Sequence, residues 1–573
     1  MIARGSNFKQ IPINIVGSSI FGRYPKVSVE KTYNMFESQD FMVPYSGYKL
    51  GILASQFNNG KEGRACFTST KFDKLVVVID NNVYLVTISF NQTLLNVINS
   101  QVVFIGSLQT STGVVYIAEN NKPQLLISDG VSLYIYDPTN SPMITIPPID
   151  FTPGYITFHD TYFIAADVNN NQWRLSGQNN GLIWNNDAAS VGLLETKPDF
   201  VQAVVRLPGK GNTILVMGTT VTEAWFDVGN QLFPYSRTNQ FNVDYGCLNA
   251  ATVAYMDEFV VWLAANEKSG PIIMYCNGGS IEKITTDGID YLFSNLNAPE
   301  DAQAFLYRQD GHLFYHINFY TDNLSLFYDF NLKKFYHASD QNLNYFIASE
   351  VAFFNNQYYF VSRNTGNLYI FDTIFTTYQD VDKNNNIVTH EIPRIRTCHN
   401  VRLPSQEYFI ANDVGFTIES GETDYQKQLV QIPQEIFLIS ENGEKLISEN
   451  GLDLISDSNG PFFEDIFIVS ELSEKIITED GLFTIVSQNS PVPIPPVPAY
   501  IPFYSTPVVD MSISVDGGAS FSSDFRYVLP AIGKRKNRLM WWQLGAANDL
   551  VFQFKFWGLG RFVATDGIVN IRQ

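Results

Sequence analysis

The sequence predicts an all-β protein: a β-propeller-like domain followed by a β-sandwich or barrel domain that carries an inserted acidic β-repeat segment. Three observations predict it. The chain is rich in aromatic residues, with 44 Phe, 30 Tyr and 7 Trp, and such side chains suit a pleated, half-buried surface. Short apolar runs alternate with Asn, Asp and Gly turns, which is the hairpin signal. Helical periodicity is nearly absent, so nothing competes with a strand reading.

Taken in order, residues 1–58 are a polar N-terminal extension. The opening "MIARGSNFKQ" lacks the apolar stretch of a secretory signal, so synthesis in a cytoplasm is expected. Residues 59–375 repeat one theme. "KFDKLVVVIDNNVYLVTI" turns at Asn81-Asn82, and "GVVYIAENNKPQLLISDGVSLYIYD" turns at Asp129-Gly130. "GYITFHDTYFIAAD", "NTILVMGTTVTEAWF", "QDGHLFYHINF" and "VAFFNNQYYFVSRNTGNLYIFD" continue it. The units recur at about 40–50 residues, the length of a propeller blade, and about six or seven fit the stretch, within the usual blade number. An extended sandwich is the alternative architecture.

Residues 376–432 and 501–573 carry longer alternating strands, among them "EYFIANDVGFTIESG" and "NRLMWWQLGAANDLVFQFKFWG", and read as one discontinuous sandwich or barrel. Residues 433–500 interrupt it. Ile439, Ile447 and Ile455 stand eight apart, and Val469, Ile477 and Val486 continue the series. Each follows the form of a short β run and an acidic turn, as in a meander or stacked solenoid. Between Glu435 and Ser490 there are twelve acids and two lysines, half of the net charge of −20. That charge prefers water, so the block is expected to protrude or to line an exit. Seven prolines between Pro491 and Pro507 make a stiff return connector.

Composition also excludes functions. A charge of −20 argues against a sequence-independent grip on duplex DNA, which needs clustered Lys and Arg. The one basic run, Lys534, Arg535, Lys536 and Arg538, reads as a solvated hairpin. Cys66, Cys247, Cys276 and Cys398 are too scattered for a disulfide framework or zinc site, and are expected to be reduced and buried. The longest apolar runs have strand length, far short of a membrane span.

The usual catalytic patterns are missing. His312 and His316 share a sheet face at i, i+4 spacing but have no HExxH context, and His159-Asp160 sits in a turn-like stretch. No GxSxG elbow exists, and "NGGS" at Asn277–Ser280 precedes no helix that could cradle phosphate. Neither a catalytic residue, a cofactor nor a metal is expected, and the chain is not read as an enzyme. The motif that survives longest is "SVDGGASF". Ser514, Asp516, Gly518 and Phe521 resemble the Asp-box of sialidase-like propellers. In that family the box is a structural turn, its Asp caught by backbone amides and its aromatic ring packed beneath.

The two ends together carry a second resemblance. "TYNMFESQD" followed by "SGYKLGI" (Asn34, Met35, Glu37, Ser46-Gly47, Gly51-Ile52) is similar to the opening of the packaged-DNA stabilisation proteins, the tail nozzle or tail accessory factors of short-tailed bacteriophages. "IPRIRTCHNVRLPSQEYFIANDVGFTIESG" resembles that family's first C-terminal strand pair. Ser514, Asp516, Gly517, Gly518, Gly533, Arg538, Trp542, Leu544 and Gly545 resemble its ending. The chain departs from the family in having Ser46-Gly47 for the usual Pro-Gly, and in the acidic block.

The resemblance implies a structural protein of the virion tail. In that family six copies form a ring below the portal and its adaptor, around a channel that packaged double-stranded DNA crosses without specific binding. Tail spike or fibre proteins and a needle or plug are the implied partners. Two alternative readings are another virion propeller that adapts fibres or spikes, and a glycan-binding propeller.

Overall fold

The computed structural model describes residues 8–22, 29–91, 96–207, 209–230, 232–256, 259–278, 280–382, 386–420, 507–529, 536–558 and 560–572, and the two-residue strands at 436–437, 455–456, 466–467 and 486–487. Among the described residues seven successive sheets, each opened by antiparallel strand pairs, begin at residues 63, 116, 153, 201, 254, 303 and 348. They are the blades of a propeller. Asx turns set the hairpins. Asp310-Gly311 joins Gln303–Gln309 to His312–Phe319 with φ of 50° and 84°, and Asn355-Asn356 joins Ala348–Phe354 to Gln357–Ser362 with φ of 47° and 61°. Two successive left-handed residues give the turn whose twist matches a hairpin. At Asp129-Gly130 the carboxylate accepts the amides of Val131 at 3.1 Å and Ser132 at 2.8 Å, the local bonding that makes Asp a turn former. In the first blade the turn is Asp80-Asn81, one residue earlier than the pattern suggests, because Asn82 already pairs with Ile79.

Side chains between adjacent blades form continuous apolar cores. Ile52, Cys66, Val77, Tyr359 and Ile370 pack between the seventh and first blades, and Val261, Ile273, Leu306 and Tyr315 between the fifth and sixth. The ring closes through the N-terminus. Gly47–Ile52 lies antiparallel on Leu368–Asp372, with Tyr48 opposite Phe371 and Leu50 opposite Tyr369. It supplies the fourth strand of the last blade just before the chain starts the first, and Thr377–Val381 and Ile387–Glu391 extend that sheet beyond it. Hydrogen bonds therefore cross the sequence boundary at 58/59. A single α-helix, Asp287–Ser294, is present among the described residues.

The second body of strands grows out of the sixth blade. Its sheet continues through Lys31–Tyr33 and Arg394–Thr397 to Val551–Trp557, Val508–Ser514 and Phe525–Val528, nine strands in all. A six-stranded sheet faces this extension. It holds Met35–Ser38, Phe41–Pro44, Phe562–Arg572, Phe409–Ser420 and Lys536–Ala547, with Phe8–Ile13 paired to Phe562–Arg572. Val414, Phe416, Trp541, Phe552, Phe554 and Val569 fill the space between the sheets. This is a sandwich, two sheets burying one apolar face each.

The aromatic wealth of the sequence concentrates between blades six and seven. There Tyr45, Tyr48, Phe314, Phe327, Phe346, Phe360, Phe371 and Tyr378 form one buried cluster. Residues 426–504 form a separate unit. Within it Ile436–Phe437 pairs with Ile455–Ser456, and Ile466–Phe467 with Val486–Ser487. The rest of the acidic repeat, the proline connector, Gly533, Lys534 and Arg535 lie outside the described residues.

Candidate functional site

The first strand of each blade lines the propeller axis, and together they enclose a channel of about 990 Å³. That is the size of a small-molecule pocket, about 300–1,000 Å³. The wall combines apolar side chains with charged ones, among them Arg64, Lys71, Glu119, Asp160 and Arg206. Arg64, although it borders the channel, is committed to the carbonyls of Asp80, Thr110, Thr112 and Gly113 at 2.7–2.8 Å. Arg206 lies over the Tyr255 ring at 5.3 Å.

Glu350 is held by one backbone amide. It stands on Ala348–Phe354 and keeps some contact with the channel space. Its Oε2 accepts the Cys66 amide at 3.1 Å. Burial pushes its carboxyl up from 4.5 to about 7, against the opposing effect of that hydrogen bond. A raised carboxyl favours folding in its neutral form. Its stabilising contribution is full below pH 4.5 and is lost as pH rises through about 7. Glu350→Gln is therefore expected to raise the melting temperature above pH 7 and to leave it nearly unchanged near pH 4.5, as a pH series of thermal melts would read.

The histidines singled out by the sequence are held by ordinary bonds. His312 Nδ1 meets Asp329 Oδ2 at 2.8 Å and its Nε2 meets Ser38 Oγ at 3.2 Å. His316 is fully buried between Tyr45 Oη and Asn318 Oδ1, and burial pulls it down to about 3. His159 bridges Tyr235 Oη and the Gly211 carbonyl at 2.8 and 2.9 Å. All four cysteines are free and buried. Among the described residues no group of three or more His, Cys, Asp or Glu is gathered as metal ligands, and no helix is long and apolar enough to cross a membrane.

The Asp-box-like residues meet in one turn after Val508–Ser514. Asp516 Oδ1 accepts the Ser514 hydroxyl at 2.6 Å and the amides of Ala519 and Ser520 at 3.0 Å, and Ser520 Oγ donates to Oδ2 at 2.6 Å. The Gly518 amide donates to Ser514 Oγ at 2.8 Å. The hydrogen bonds from Ser514 and Ser520 hold the Asp516 carboxyl well below the usual range. Phe521 is half-buried beside them. Every carboxylate bond goes to the turn itself.

Trp542, Leu544 and Gly545 form a β-bulge. On Lys536–Ala547 the register runs from Asp413 opposite Trp542 to Ala411 opposite Gly545, so Gln543 and Leu544 face Asn412 alone. Left-handed φ at Gln543 (59°) and Gly545 (95°) make the extra residue possible. The bulge turns Leu544 into the sandwich core and leaves Trp542 64% exposed. Arg538 projects from the same strand into solvent. The channel and its Glu350 escaped the sequence reading. The signal that could have found them is one acid inside the apolar run "ASEVAFF".

The sequence matches the family described as bacteriophage P22 Gp10, beta-propeller, over residues 77–375. No curated protein sequence matches the chain. Among solved structures, virginiamycin B lyase from Staphylococcus aureus is 11% identical and covers 57% of this chain and 99% of its own, with a TM-score of 0.38. The N-terminal domain of Nup159 is 12% identical, covering 58% and 96%, with a TM-score of 0.37. Likenesses of that size bear on neither detail nor function. The family match spans the propeller, whereas the resemblance read from the sequence lay at the two ends. The chain belongs to the phage stabilisation family of P22 Gp10 beta-propellers and is a structural protein of a bacteriophage tail.

Proposed function

We propose that six copies of this chain close into a ring below the portal adaptor and form the tail nozzle that retains packaged DNA and later conducts it out. The observation that carries this reading is the family match across the propeller. In this reading residues 59–375 form the propeller wall and 376–432 with 501–573 the sandwich. The inserted block 433–500 faces water, and spikes or fibres and a needle or plug dock on the assembled ring.

Physical chemistry supports the arrangement. A propeller channel of about 990 Å³ suits a small molecule and not a duplex whose major groove alone is about 12 Å wide. The conduit is then the space that copies enclose together. A net charge of −20 keeps phosphate from sticking to such a wall. Ring closure needs a heterologous contact between different faces of neighbouring copies. Exposed apolar side chains suited to one stand on the outer face of the six-stranded sheet, where Ile410, Trp542 and Ile568 are 48%, 64% and 46% exposed.

Electron microscopy of particles carrying a tag on this chain tests the reading. Six copies ringed beneath the portal vertex are expected. Copies out on the fibres would replace it with the adaptor reading, and absence from the particle would overturn both.

A further inference from the structure

The propeller channel holds chemistry that a purely structural role leaves unused, and it goes beyond the nozzle reading. Glu350 contributes a carboxylate to a wall of mixed character, where apolar side chains are accompanied by Lys71, Glu119, Asp160 and Gln303. Burial raises its carboxyl and the Cys66 amide opposes that rise. The two guanidinium groups at the channel are engaged elsewhere, Arg64 with backbone carbonyls and Arg206 with the Tyr255 ring.

Two further tyrosines line the same space. Tyr116 and Tyr155, on the inner strands of the second and third blades, hold their rings 5.1 Å apart at 56°. Glu350 and both rings line the same cavity. A carboxylate and aromatic faces in one cavity attract a cation, because the ring faces are negative and a single backbone amide does not neutralise the anion. One carboxylate offers too few oxygens for calcium, which takes about six to eight, or for magnesium. The aromatic rings and the volume suit an organic cation instead.

We propose that the propeller channel binds a small organic ammonium ion, with the Glu350 carboxylate as its counter-ion and the rings of Tyr116 and Tyr155 as its aromatic wall.

Titration calorimetry of the full chain with butylammonium chloride at pH 8, and with 1-butanol as the uncharged control, tests this. Saturable binding of butylammonium alone is expected, weakened about tenfold or more in Glu350→Gln and also weakened in Tyr116→Leu. Absence of saturable binding to the wild type, equal binding of butanol, or unchanged affinity in Glu350→Gln would each overturn the proposal. A pH series on the unaltered chain decides the matter even if a variant fails to fold. The other titratable groups of the cavity are Cys66, Tyr116 and Tyr155, all raised by burial, His159, lowered by it, and Arg64, Lys71, Glu119, Asp160, Arg206 and Tyr255. Butylammonium affinity should therefore fall as pH drops through about 7, where Glu350 gains its proton. An affinity that stays flat across that range sinks the idea.

Discussion

Arg396→Met is expected to destabilise the chain by about 3–5 kcal/mol, the cost of breaking a buried ion pair by removing one partner. The Arg396 side chain is fully buried. Its guanidinium donates to the carbonyls of Asn14 and Ser18, to Thr32 Oγ1 and, at 2.6 Å, to Glu30 Oε2. These bonds tie residues 14–32 to the strand Arg394–Thr397, which itself links the sixth blade to the sandwich. A Cβ at Gly17 would stand 2.6 Å from Arg396 Nη2, so a larger residue there would displace the guanidinium. Methionine keeps much of the volume but leaves the Glu30 carboxylate and two carbonyls without their donor. The measurement is the shift of the urea midpoint at constant slope. Adding Glu30→Gln to Arg396→Met should cost less than the sum of the single changes, since the second substitution removes the stranded charge. A loss under about 1 kcal/mol, the range of exposed pairs, would show that this ion pair does not hold the N-terminal segment down.

Tyr48→Ala is expected to cost about 3–5 kcal/mol, as for other buried aromatic truncations. The ring is 1% exposed. It stacks on Tyr378 at 4.3 Å and 12°, and meets Phe346, Phe360 and Tyr369 edge-on at 5.3–5.9 Å. Its strand is also the one that closes the ring, so the damage should localise. Amide exchange should accelerate at Gly47–Ile52 and Leu368–Asp372 before the other blades respond. Tyr48→Phe keeps the volume and should cost less than about 1.5 kcal/mol. Uniform exchange changes over all seven blades would show that closure by this strand is not the weak point.

Local chemistry made much of this readable. Asp310-Gly311, Asn355-Asn356 and Asp129-Gly130 announce their hairpins because a left-handed residue or an Asx side chain settles a turn within four residues. The turn at Ser514–Ser520 is local in the same way, since Asp516 bonds only residues within four of itself. Trp542, Leu544 and Gly545 stood out as a motif, but their bulge did not. It exists only against Ala411–Asp413, more than a hundred residues earlier in the chain.

Aromatic content and turn spacing determined by themselves an all-β chain of about six or seven repeated units, because both act over a few residues. Tertiary structure alone decided that Gly47–Ile52 completes the last blade, that the sixth blade's sheet runs on into the sandwich, and that Glu350 faces a channel shared with Tyr116 and Tyr155. Pairing across hundreds of residues leaves no periodic mark on either partner, since each strand shows the same alternation whichever neighbour it finds.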